Sequence, residues 1–112
     1  MELMRNLEKA VPLNVKDLVD YADGKVVTKS LADRDGVGIT VFAFDENEGI
    51  STHAAGGDAF VTVLEGTGRF TIDGVPHELN AGQSIVMPYQ IPHAVDAVTR
   101  FKMLLVVVFG DE

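Results

Sequence analysis

The chemistry open to this chain rests on its histidines. Cysteine is absent, which removes thiol nucleophiles, thiolate metal sites, redox roles and disulfides together. Of the three histidines, His53 lies in Gly49-Ile-Ser-Thr-His-Ala-Ala-Gly-Gly-Asp-Ala-Phe-Val-Thr-Val-Leu-Glu-Gly66, and His93 closes Gly82-Gln-Ser-Ile-Val-Met-Pro-Tyr-Gln-Ile-Pro-His93. Each stretch sets one imidazole in a largely apolar, strand-like segment. Imidazole titrates near neutral pH and is a common metal ligand. Two such strands lying side by side, with both rings on one face, would frame a small site for an ion or for acid–base work. No Ser/His/Asp triad, phosphate-cradling glycine loop or dinucleotide fingerprint accompanies them.

The elements that must position these rings are short strands. From Lys25 onward apolar residues alternate with a period of two, the signature of half-buried strands. Val26–Leu31 and Val37–Phe44 are strand candidates on either side of an Asp33–Gly36 turn. Ala59–Leu64 follows, then Arg69–Asp73, with Phe70 and Ile72 pointing inward. Asp73-Gly74 is a two-residue hairpin signal of the type I′ kind, and Val75–Leu79 is its return strand. Ser84–Met87 stops at Pro88, His93–Val98 is another strand, and Phe101–Phe109 is a last, buried one. Turn signals recurring every eight to twelve residues predict an antiparallel sandwich or closed barrel. The only helix expected is short, capped by Asn14 and stopped within about two turns by Gly24, with Val15, Leu18 and Val19 on one face.

Bulk properties narrow the function classes. At 112 residues and 46% apolar content, the chain is one domain with enough apolar residues for a core. We divide it into residues 1–35, holding an arm, the short helix and the first strand, and residues 36–112, the barrel. A net charge of −8, with nine Lys and Arg spread thinly, gives no basic face for nucleic acid or an anionic membrane. No run reaches the roughly 18 apolar residues that span a bilayer, and the N-terminus lacks a signal-peptide apolar region. The chain is therefore expected to be cytoplasmic.

The two histidine stretches resemble the motifs of the cupins, small β-barrels of the jelly-roll type. The family's first motif is Gly-x5-His-x-His-x3–4-Glu-x6-Gly and its second is Gly-x5-Pro-x-Gly-x2-His-x3-Asn. His53 falls on the leading His and Gly66 on the closing Gly of the first; Gly82, Pro88 and His93 fit the frame of the second. The resemblance covers roughly residues 36–109 and implies an all-β, single-domain antiparallel barrel with a short N-terminal helix. It also implies one divalent metal held by two His and a Glu of the first motif and the His of the second. Here the second His position is Ala55, the Glu position Ala59, the second motif's Gly is Gln90 and its Asn is Ala97. His53 and His93 are the metal ligands that remain.

Two further residues bear on that site. Asp58 stands beside the missing Glu position, but in a regular strand it points away from residues 53, 55 and 59; a bulge at Gly56-Gly57 would reverse that parity. His77 shares parity with Leu79 and reads as a partly exposed hairpin residue, the inward alternative being that it completes the site. Met87 and Met103 read as core or pocket wall, and Tyr89 and Gln90 as loop residues near a pocket mouth. The expectation is a barrel that binds a small molecule, with or without a divalent transition metal on His53 and His93. The alternative is a metal-dependent enzyme of the dioxygenase, isomerase or decarboxylase type acting on a small metabolite. Single-domain cupins pair as homodimers as a rule, so a homodimer is also expected, with Met103–Phe109 and the N-terminal arm available to its interface.

Overall fold

Residues 2–110 are described by a computed structural model; Met1, Asp111 and Glu112, the outer ends of the two regions drawn from the sequence, lie outside them. Nine strands follow one helical turn: β1 (Val26–Arg34), β2 (Val37–Phe44), β3 (Gly49–His53), β4 (Gly57–Glu65), β5 (Thr67–Ile72), β6 (Val75–Asn80), β7 (Ser84–Met87), β8 (His93–Ala97) and β9 (Phe101–Phe109). They form two sheets, ordered β1-β2-β9-β4-β7 and β3-β8-β5-β6, and every pairing between them is antiparallel. The chain is an all-β barrel of the jelly-roll type.

Local chemistry accounts for most of the boundaries. Asp73 and Gly74 both take positive φ, 50° and 81°, which is the mirror-image turn whose twist matches the flanking strands β5 and β6. The first strand is longer than its alternation suggests. An irregularity between Ser30 and Ala32 lets pairing with β2 continue to Arg34↔Val37, so the turn contracts to Asp35-Gly36. The expected helix is shorter. It is a single 3-10 turn, Val15–Leu18, without a side-chain cap from Asn14, and the chain is already extended at Val19. β-branched Val15 and Val19 favour extended backbone, and Val19 gains burial against the barrel that another helical turn would have to surrender.

The core lies between the sheets. Phe101 opens β9, its ring stacked on Phe44 at 4.5 Å and meeting Phe70 edge-on at 6.0 Å, so one side chain binds residues of both sheets. The same ring lies over Gly68, where an added Cβ would come within 2.7 Å of it. A second cluster forms outside the larger sheet. There Met4, Leu7, Val15, Leu18 and Tyr21 of the N-terminal segment pack against Val19, Leu31, Val41 and Ala43, covering the outer side of that sheet at β1 and β2.

Polar contacts pin the segment down. The Tyr21 hydroxyl donates to Glu65 Oε2 at 2.6 Å, and both Arg100 and Lys102 sit over its ring, 5.2 and 4.9 Å from the centroid. Burial and the bond to Glu65 push the Tyr21 phenol well above its ordinary range. Lys102, itself buried, donates to the Lys16 carbonyl at 2.8 Å. Arg100 bridges Asp23 at 2.6 Å and Asp45 at 2.7 Å. The Gly24 amide and Arg100 together hold the Asp45 carboxyl down at about 2. Among the described residues no helix is long and apolar enough to cross a membrane.

Gly66, the closing glycine of the first motif, has a structural reason to be there. Its φ is +76°, and a Cβ would strike the Arg100 carbonyl and the Phe101 backbone. Gly66→Ala is expected to cost about 2–4 kcal/mol in urea unfolding, since left-handed strain and a backbone clash add. Gly36→Ala, where a Cβ meets nothing within 4 Å, should stay within about 0.5 kcal/mol of wild type. Equal effects at the two positions would refute this account.

Candidate binding site

The site begins with a bulge. Strand β3 pairs with β8 as Gly49↔Asp96 and Ile50↔Val95, and then slips so that His53 faces His93 directly. In a regular strand residues 50 and 53 would point to opposite sides. The slip brings both onto the inner side, where Ile50 and His53 line the same cavity. It also places the Ser51 carbonyl 3.0 Å from His53 Nδ1. His93 repeats the arrangement on its own strand, with Nδ1 3.2 Å from the Ile91 carbonyl. A carbonyl only accepts, so each Nδ1 carries the proton and donates it. That leaves Nε2 of each neutral ring as the lone-pair nitrogen.

The two rings meet edge to face, 4.4 Å between centroids at 68°. His93 is buried, 2% exposed, whereas His53 is exposed at the rim. Burial pushes the His93 imidazole below its ordinary range. The Ile91 carbonyl opposes this and the charge of a protonated His53 adds to it. His93 is therefore disposed to stay uncharged.

Together the rings form the polar end of a cavity of about 140 Å³. Its walls come from both sheets: Phe42 of β2, Ala59 of β4, Met87 of β7, Val95 of β8, and Met103, Leu105 and Val107 of β9. Ala55 and Ala59, at the two missing ligand positions, both line it. Their methyl groups leave open the volume that an imidazole and a carboxylate would fill. Of the four ligand positions in the motifs, the cavity thus has histidine at two and alanine at two.

No other group completes that set. Asp58 faces outward on β4, whose pairing with β9 is regular from Gly57 to Val63, and its Oδ1 accepts the Tyr89 amide at 2.8 Å. The irregularities in β3 and β4 fall between Ile50 and His53 and between Val63 and Glu65, not at Gly56-Gly57, so the parity of Asp58 is not reversed. His77 is exposed on the edge strand β6, opposite Phe70, away from the cavity. Among the described residues no three His, Asp or Glu side chains stand close enough to hold an ion together. Tyr89 and Gln90 do not line the cavity either. Gln90 instead ties the loop down, its amide donating to the Ala55 carbonyl at 3.1 Å. Met87 and Met103 are both core and pocket wall. The sequence reading passed over Phe42, Leu105 and Val107 as cavity residues, although their period-two spacing from Phe44 and Met103 carried the signal.

Residues 40–109 match the family model described as the cupin domain. The chain belongs to the cupin family. A conserved protein of unknown function from Streptococcus pyogenes superposes with a TM-score of 0.96 at 40% identity, over 100% of this chain and 98% of that one. A cupin superfamily protein from Desulfitobacterium hafniense gives 0.91 at 28% identity, over 96% and 98%. A cupin 2 conserved barrel domain protein from Leptotrichia buccalis gives 0.84 at 41% identity over 86% of this chain, which spans 47% of that one. No curated protein matches the chain.

One departure from the cupin pattern has a measurable consequence. Gln90 occupies the second motif's glycine position with φ of +59°, a conformation that favours glycine. Gln90→Gly keeps the amide that bonds Ala55 and removes the strain. It should raise unfolding stability by about 0.5–1 kcal/mol, read by urea denaturation; a loss of stability would mean that the Gln90 side chain holds the loop.

Proposed function

We propose that this cupin binds a small molecule in the cavity between its sheets, with His53 and His93 as the polar anchor. The observation that carries the reading is the paired tether. Each ring is tethered at Nδ1 by a backbone carbonyl, which leaves Nε2 as its lone-pair nitrogen, and both rings line an otherwise apolar, largely enclosed pocket. Pockets of this kind, mostly apolar with a few convergent polar groups, are the usual form of small-molecule sites.

The same tether supports a second reading, in which His53 and His93 also hold a divalent transition metal. Metal-ligating histidines commonly donate the other ring nitrogen to a carbonyl, as both do here. Imidazole suits Mn, Fe, Ni, Cu or Zn, but stable sites usually take three or four protein ligands. With two, the remaining positions fall to water or to the bound molecule. A metal-dependent enzyme of the dioxygenase, isomerase or decarboxylase type would need its substrate to complete the site, and such an ion would supply Lewis-acid or oxygen chemistry there. The fit is in kind of donor and not in number, so binding without metal is the reading we place first.

Metal content and thermal shift separate the two. Wild type screened with sugars, alcohols and small organic acids should show Tm increases for some, since a ligand at a hundredfold its Kd adds about 2.7 kcal/mol. The His53→Ala, His93→Ala double variant should lose that response. Silence across the whole screen would sink the binding reading. One equivalent of transition metal in protein purified without added metal, absent from the double variant, would favour the enzyme reading.

A second copy of the chain is the protein partner we propose. In register across β7, β4 and β9, Val86, Phe60 and Val106 form an apolar strip on the outer side of the larger sheet, with Phe60 47% and Val86 48% exposed. Val108, 59% exposed, lies beside it. Strand β9 is central in its sheet, so only its outward residues are available for such a contact. Two copies that each carry −8 repel over most of their surfaces. The strip is uncharged, and a two-fold contact would set it against itself. Light scattering should give twice 12.1 kDa for wild type and the monomer mass for Phe60→Glu; a wild-type monomer would overturn the proposal.

A further inference from the structure

The small-molecule reading above can be taken to a ligand class. We infer that the cavity takes an uncharged molecule of single-ring size bearing a hydroxyl that donates to the histidine pair, a simple phenol being the type, and that it rejects the matching carboxylate. Three observations on the same cavity meet in this assignment.

The first is volume. About 140 Å³ is close to the engineered cavity of about 150 Å³, lined by Leu, Ile and Phe, that holds one benzene. One six-membered ring fills such a space; a disaccharide or a nucleotide does not enter it. The missing ligand side chains at Ala55 and Ala59 are part of that space, so the ring would lie beside the histidines and between the sheets.

The second is the chemistry of the walls. Among the lining residues there is no Lys, Arg, Asp or Glu. A carboxylate placed among Phe42, Ile50, Leu105 and Val107 would lose its hydration without gaining a fixed cation, a large cost. An apolar ring loses nothing by the same move. Met87 and Met103 both reach the cavity, and thioether sulfur makes favourable contacts with aromatic rings while adapting to their shape.

The third is the direction of the hydrogen bonds. Both Nδ1–H groups are committed to main-chain carbonyls, His53 to Ser51 and His93 to Ile91. With Nδ1 taken, the nitrogen that each lining ring has left for a ligand is an acceptor, and its complement is a donor. A hydroxyl satisfies an Nε2 lone pair, whereas a carboxylate sets acceptor against acceptor. A ring without a donor leaves the buried His93 without a partner on that side.

The test uses the wild-type protein and three probes of one shape: phenol, toluene and benzoate. Affinities come from calorimetry or from ligand-observed NMR, at a pH above the ordinary imidazole range. Phenol is expected to bind about tenfold more tightly than toluene, the worth of one net hydrogen bond, and benzoate more weakly than either. A His93→Leu variant should bind phenol and toluene alike, and the wild-type ranking stands as evidence even if that variant does not fold. Benzoate binding more tightly than phenol, or phenol and toluene binding equally to wild type, would overturn the inference. So would binding of larger molecules alone, which leaves the small-molecule reading in place. Failure of every compound, large or small, would overturn both.

Discussion

Phe101 is the residue on which the two sheets depend for their relation to each other. It starts the strand that runs through the middle of the larger sheet, and its ring meets Phe44 of that sheet and Phe70 of the other. The ring reaches the second sheet because Gly68 presents no side chain beneath it. This packing closes the barrel at one end of β9. Further along the same strand Met103, Leu105 and Val107 turn inward, and the cavity opens between them and Ile50, His53, His93 and Val95 of the other sheet. A tight end and a hollow end therefore share one strand. The first supplies the stability that lets the second remain partly empty, since an unfilled apolar space otherwise costs stability in proportion to its volume.

The hollow end is also where alanine stands at two of the four ligand positions of the cupin motifs. Replacing an imidazole and a carboxylate by two alanines removes donors, but it adds room and lowers polarity. What remains is an apolar chamber with two tethered imidazoles at one end. Recognition in such a chamber depends on shape and on one or two hydrogen bonds, and less on charge. The strong negative charge of the chain acts elsewhere. It is spread over the surface, where Arg100 and Lys102 gather near Tyr21, Asp23 and Asp45 to fix the N-terminal segment against the barrel.

Much of this was legible in the residues, and the reasons are local. Asp73-Gly74 declares its hairpin because both positions must take positive φ. The alternation around Phe70 declares an inward face, and the spacing of His53, Gly66, Gly82, Pro88 and His93 declares the frame of the family. What could not be read was set by neighbours distant in sequence. The slip in β3 that turns His53 inward arises from its pairing with β8. The extension of β1 to Arg34 needs the partner strand β2. The short helix yields to extended backbone because Val19 finds burial against β-strands that the local sequence does not reveal. Phe42 and Leu105 look like ordinary core until Ala55 and Ala59 are placed in the same cavity. The outward direction of Asp58 was legible from parity, and the strand proved regular where a bulge had been the alternative.

The tethers on the two histidines have a consequence for how this protein can change over evolutionary time. In many sites a histidine is oriented by another side chain, and mutation of that residue releases it. Here the orienting groups are the carbonyls of Ser51 and Ile91, which every amino acid supplies. Substitutions at those two positions alter the side chains and leave the acceptors where they are, provided the backbone path is kept. The orientation of the rings is thus insulated from drift in the surrounding sequence, while the walls are free to vary. A barrel built this way can change the shape and polarity of its cavity through the lining alone, while the two tethered rings stay in place.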